Sequence, residues 1–203
     1  MVAMSWTELV GNALCLDFAN TVDRRPDPRR DWLDEPGGVR RWAAHAGLPG
    51  HGSAVDVDAG ASLLAARELR DAVVRTFGAV AAGKQPRAAD LAAIGTCAAE
   101  GLGEARLRPV HGRDGDTAHG PAGGTSYRLE WPRPATGRQV LWAVADSAVE
   151  LLRHAPLERV GQCPSCTWLF LDTSRNGRRR WCSMAMCGNQ VKSARHYART
   201  MRS

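Results

Sequence analysis

Four cysteines near the end of the chain, Cys163, Cys166, Cys182 and Cys187, fall in the pattern C-x2-C-x15-C-x4-C. Thiolates in two short-range pairs suit Zn²⁺, which takes a closed tetrahedral shell of soft ligands. Two cysteines two residues apart reach one metal when a tight turn points both inward. The pair four residues apart does so if Cys187 opens a helix. A lone C-x-x-C can instead be a redox dithiol, but that motif follows a strand in a βαβ pattern and needs no second pair. The expectation is one structural Zn²⁺ with every position filled by protein, leaving no open site for water or substrate.

The residues around the cysteines predict a small unit. Trp168 to Asp172 reads as a strand, Asn176-Gly177 as a hairpin turn, Arg178 to Trp181 as the return strand, and Gln190 to about Met201 as a helix. Such a unit cannot bury enough apolar surface to fold alone, so metal binding supplies folding free energy. It is also where the charge lies. Residues 157–203 hold nine Lys/Arg and two acids, a net +7, while the remaining 156 residues sum to −1. Four zinc-bound thiolates put about −2 on the site, so part of this surplus balances the metal centre. The rest points to a polyanionic partner.

The run Cys163-Pro-Ser-Cys166, Phe170-Leu-Asp-Thr-Ser-Arg-Asn-Gly-Arg-Arg-Arg-Trp-Cys182-Ser-Met and Cys187-Gly-Asn189 resembles the CGNR zinc finger, a treble-clef-like bacterial module. In that family the finger follows an N-terminal ABATE domain, described as a stress-induced transcription regulator. Leu14-Cys-Leu-Asp17-Phe-Ala-Asn20-Thr21 is similar to the motif that opens the ABATE domain. The family's namesake arginine is Gln190 here. The resemblance implies nucleic-acid binding, and it alone favours DNA over RNA. The expected phosphate contacts are Arg178, Arg179 and Arg180 beside the metal and Lys192, Arg195 and Arg199 at three-and-four spacing on the last helix. A protein-interaction adaptor that docks an acidic partner is the rival reading. No Ser-His-Asp set or phosphate loop suggests an enzyme.

Residues 1–156 must position this unit. The 203-residue chain has room for one medium domain and a small module, divided at 156/157. Hydrophobic periodicity predicts helices at Trp6–Val22, Gly38–Ala46, Asp58–Ala82, Arg87–Gly101 and Arg138–Arg153. Two alternating runs within 105–132 predict a β-hairpin. The fold class is therefore mainly α with a small hairpin (α+β), followed by the zinc module. Asp17 and Asn20 share one turn of the first helix, where they either hydrogen-bond neighbouring loops or form a polar cluster for a small ligand. His111 and His119 lack partners at ligand spacing, and Cys15 and Cys97 read as small buried hydrophobes. No apolar run approaches ~18 residues, and no secretory signal is visible, so a cytoplasmic location is expected. Composition leaves open a homodimer and a small-molecule effector of the first domain.

Overall fold

The computed structural model describes residues 8–22, 31–48, 59–110, 126–131, 137–189 and 191–193. Among these residues, five α-helices and two antiparallel strand pairs follow one another: α1 (Leu14–Ala19), α2 (Gly38–His45), α3 (Ala59–Ala81), α4 (Ala88–Glu104), β1 (Arg106–Val110), β2 (Ser126–Glu130), α5 (Gly137–His154), β3 (Val160–Gln162) and β4 (Leu169–Leu171). A π-helical turn, Met184–Gly188, follows β4. The molecule is mainly helical, and four helix positions and the first hairpin lie where the apolar spacing puts them.

The first helix is shorter than its periodicity suggests. It begins at Leu14 because the preceding backbone turns sharply: Asn12 adopts a left-handed φ of 56°, and the Gly11 N–H donates to Asp17 Oδ1 at 2.7 Å. A Cβ on Gly11 would come within 2.8 Å of Asp17 N and Leu16 Cβ, so only glycine fits this fold-back. Residues 8–10 are then free to run past the helix towards the zinc module.

α5 carries the core stripe Val140, Leu141, Val144, Ala148 and Leu151, all buried, and packs against α4, α1 and α3. Phe18 of α1 meets Trp42 of α2 edge to face at 4.8 Å between ring centroids, one of the aromatic geometries favoured by ring quadrupoles. Arg70 of α3 is only 4% exposed and pairs with both carboxylate oxygens of Asp31 at 2.6 and 2.8 Å. This charge-assisted fork ties the segment before α2 to the long helix. The core does not stop at the helices. Val160 of β3 and Leu169 of β4 join the same buried cluster as α1, α3 and α5.

Within the zinc unit the pairing differs from the expected one. β4 pairs with β3, in the register Val160↔Leu171, Gly161↔Phe170 and Gln162↔Leu169. Residues 178–181 form no strand. The turn at Gly177 is present, with φ 56° and its N–H on Ser174 O, but the chain beyond it finds the other edge of β4 already occupied. That edge is taken by the N-terminal segment, through Leu171 N–H to Gly11 O at 2.8 Å and by the side chain of Asn20 on Leu169.

Candidate metal centre

β3 and β4 place the first cysteine pair between them. Cys163 N–H donates to Trp168 O and Thr167 N–H to Cys163 O, both at 2.8 Å, closing a knuckle with Thr167 at a left-handed φ of 64°. Gly161 lies opposite Phe170, whose ring would stand 2.7 Å from a Cβ there, so the glycine lets the ring cross the strand. The second pair lies at the π-helical turn. Ser183 caps it, accepting Cys187 N–H at its carbonyl (3.0 Å) and Met186 N–H at its hydroxyl (3.3 Å). Cys187 therefore sits late in a π-helical turn, Met184–Gly188, whereas the spacing predicts that it opens a helix.

The four Sγ atoms lie within 4.8 Å of one another, and all four residues are buried. Cys166 and Cys182 are 3.4 Å apart at sulfur, Cys182 and Cys187 3.5 Å. These separations are far from a disulfide's ~2.05 Å. They lie slightly under the edge of about 3.8 Å in a tetrahedron with ~2.3 Å Zn–S bonds, and the remaining pairs stay within 4.8 Å. The donor set, its burial and its spacing fit one structural zinc held by Cys163, Cys166, Cys182 and Cys187. The hydrogen bond from the Cys182 thiol holds Cys166 below the usual thiol range and pushes Cys182 above it, while burial pushes Cys187 up to about 11. Thiolates packed this closely would repel one another. A divalent cation supplies the missing charge, and its binding releases protons.

Around the centre, Val10, Trp168 and Phe170 complete a small apolar core, with Trp181 and Met186 packed against it. Val10 comes from the far end of the sequence. The two halves are joined by more than this contact. Asn20, 2% exposed, uses both ends of its amide on one strand residue, accepting Leu169 N–H and donating to Leu169 O, each at 2.9 Å. Trp168 Nε1 donates to Val22 O at 2.8 Å, and Asn12 Nδ2 to Leu171 O at 2.9 Å. Asp17 lies beside this seam, accepting Gly11 N–H, and burial pushes its carboxyl up to about 6. Asp17 and Asn20 both hydrogen-bond backbone groups of neighbouring segments, the Asn20 amide making one donor and one acceptor bond to Leu169.

The three consecutive arginines separate sharply. Arg179 turns inward: its guanidinium donates to the carbonyls of Val10 (2.7 Å), Trp181 (3.0 Å) and Cys182, and sits 4.5 Å from the Phe170 ring centroid. Its N–H is held by Asp172 Oδ2 at 2.7 Å. Its donors are spent on backbone carbonyls inside the protein, which removes Arg179 from the expected phosphate contacts and makes it a tie between the N-terminal segment and the second cysteine knuckle. Arg178 and Arg180 are exposed, the latter with its guanidinium 5.8 Å from the Trp181 ring. Lys192 is exposed on the helical turn after the centre. Arg195, Arg199 and Gln190 lie outside the described residues, as do His111 and His119. Val10, Gly11, Asn12 and Trp168 were not singled out as site residues from sequence. Their partners lie some 150 positions away, and only the Asp17/Asn20 motif hinted that the first segment carries a fixed polar arrangement.

The fold and this centre define a class: a helical domain fused through a shared core to a four-cysteine zinc module. A family model described as "Putative stress-induced transcription regulator", ABATE, matches residues 12–155, and the CGNR zinc finger model matches residues 159–200. The chain belongs to the ABATE family and carries its zinc finger. No curated protein matches it. Among the described residues no helix is long and apolar enough to cross a membrane.

Proposed function

We propose that this chain is a cytoplasmic transcription regulator that binds duplex DNA through the outer face of its zinc module. The observation that carries the reading is the division of labour among the cations. Arg179 spends its guanidinium on carbonyls inside the module, whereas Arg178, Arg180 and Lys192 are exposed and have no carboxylate within ion-pair distance among the described residues. The two acids of the module do not cancel them. Asp172 is buried and spends its carboxylate on the N–H groups of Ser174 and Arg179, and Glu158 meets none of these cations among the described residues. Exposed cations without partners are what a phosphate backbone neutralises. The centre itself has a structural role, since four thiolates complete its shell.

The test is a salt series with zinc-loaded protein, comparing random duplex DNA, RNA and heparin by fluorescence anisotropy. Arg178→Gln with Arg180→Gln is expected to flatten the log–log salt slope on DNA by about 0.9 per lost contact, with zinc content unchanged. Salt-insensitive or absent binding to every polyanion would leave the protein-docking adaptor as the better reading.

A further inference from the structure

The β1–β2 hairpin is not part of the zinc module, and it has an unusual charge arrangement. Paired residues of an antiparallel ribbon share a face. The register Arg106↔Glu130 and Arg108↔Arg128 therefore puts three arginines and one glutamate on one side. Arg108 and Arg128 stand directly opposite each other, a like-charge cross-strand pair that destabilises a ribbon. Glu130 lies 3.6 Å from Arg108 and is the one acid within reach of these three among the described residues. All three arginines are exposed.

Other arginines of the first domain are handled differently. Arg67, Arg70, Arg75, Arg87 and Arg138 each meet a carboxylate of Asp34, Asp31, Asp90 or Glu100 in a close ion pair. The hairpin instead gathers three cations on one face with a single carboxylate within reach among the described residues. It is also a bare ribbon: its strands contact chiefly each other, Leu107 and Tyr127 are 67% and 62% exposed, and its base is fixed by Trp131 Nε1 on Gly101 O at 2.8 Å. A two-stranded ribbon gains little from its own packing. A polyanion along the arginine face would remove the repulsion and steady it.

We propose that the β1–β2 hairpin is a second nucleic-acid contact, in which Arg106, Arg108 and Arg128 neutralise phosphates of the duplex held by the zinc module. This rests on the DNA-binding reading above. A two-stranded ribbon is of a size that the major groove admits. The hairpin base meets Gly101, which packs on Trp142 in the first third of α5, and the zinc module follows the end of that helix, whose 18 residues span about 27 Å at 1.5 Å each. That is about eight base pairs at 3.4 Å per step, so one duplex of moderate length reaches both. A second copy of the chain is the poorer occupant. Edge pairing would bring three further arginines to the same face, and Pro109, with no N–H, blunts the outer edge of β1.

The experiment compares the full-length zinc-loaded protein with Arg106→Gln/Arg108→Gln/Arg128→Gln and with the corresponding Arg→Lys triple, on 24-bp and 8-bp random duplexes. The Gln triple is expected to flatten the salt slope on the 24-bp duplex by roughly two to three units and to leave the 8-bp slope nearly unchanged, while the Lys triple keeps the slope. Because the Gln triple removes a repulsive pair, its melting temperature should hold or rise, so a loss of binding is not a loss of fold. An unchanged 24-bp slope, with the Arg178/Arg180 variant still weakened, overturns the hairpin contact and leaves the zinc-module reading intact. Hairpin variants that weaken binding while the Arg178/Arg180 variant does not would move the DNA site to the hairpin. A change in oligomeric state by sedimentation, with no change in slope, would overturn the proposal in favour of self-association. Failure of the unaltered protein to bind any duplex would overturn both readings.

Discussion

The described residues contain two antiparallel strand pairs, and they solve the same problem in opposite ways. β1–β2 has five residues a strand, and its register is written in an alternating sequence. It nevertheless stands nearly bare, with like charges facing each other. β3–β4 has only three residues a strand and little alternation, yet Leu169 and Phe170 are buried and the outer edge of β4 is closed by Gly11 O and the Asn20 amide. Length and pattern therefore do not rank the two pairs by rigidity. What ranks them is where each strand's unpaired N–H and C=O groups go.

The largest expected effect lies on the buried pair. Cys182→Ser, or removal of zinc by a chelator, should melt the module and also lower the midpoint of the helical domain, in one cooperative transition by far-UV circular dichroism. The reason is that Val10, Asn20 and Val22 bind into the module, and zinc-linked folding energies are large, about 10 kcal/mol or more in finger peptides. Two well-separated transitions, with the helical signal untouched, would show that the halves are independent.

Asn20→Ala should come next. It strands a buried N–H and a buried C=O of Leu169 and should cost about 2–4 kcal/mol in urea unfolding, with zinc stoichiometry retained at saturating metal. A cost under 0.5 kcal/mol would mean the edge of β4 is not held as described.

A smaller effect attaches to Asp17. Its carboxyl is raised to about 6 by burial against an ordinary 3.8. The folded state therefore binds its proton more tightly than the unfolded state, and this group's contribution to stability is greatest at low pH and falls as pH rises from about 4 to 6. Asp17→Asn keeps an oxygen for Gly11 N–H and should flatten that part of the stability–pH curve by at most about 3 kcal/mol. An identical pH profile in the variant would place the titration elsewhere.

The smallest effect is expected on the exposed pair. Arg108→Gln should leave stability within about 0.5 kcal/mol of the parent or raise it slightly, since it deletes a cross-strand repulsion. A clear destabilisation would show that the ribbon depends on that arginine's pairing with Glu130.

The contrast also explains what could be read in advance. The helices and the β1–β2 hairpin were legible because each is specified by neighbours within a few positions: the Val140–Leu151 stripe, for example, repeats at three and four. The metal ligands were legible because zinc demands a residue type and a spacing. The partner of β4 was not. The stretch Arg178–Trp181 has the composition and the preceding turn of a return strand, and nothing local says that Gly11 and Asn20 occupy its place. The fate of Arg179 was hidden for the same reason. Three adjacent arginines look equivalent until the carbonyls of Val10 and Cys182 single out the middle one. Long-range hydrogen bonds leave no period in a sequence.

The single Asn20–Leu169 amide pair has a consequence for anyone cutting or recombining this chain. The two family ranges meet near residue 157, which invites a clean excision of the finger or its transplantation onto another carrier. The excised piece would take β4 away from its amide partner and leave a hole where Val10 sat. A transplant would need a host that offers an asparagine at a helix end, a passing carbonyl and a valine in the same relative places. The constraint falls on Asn20 more than on its partner, because the amide meets the backbone of Leu169, which any residue but proline would supply.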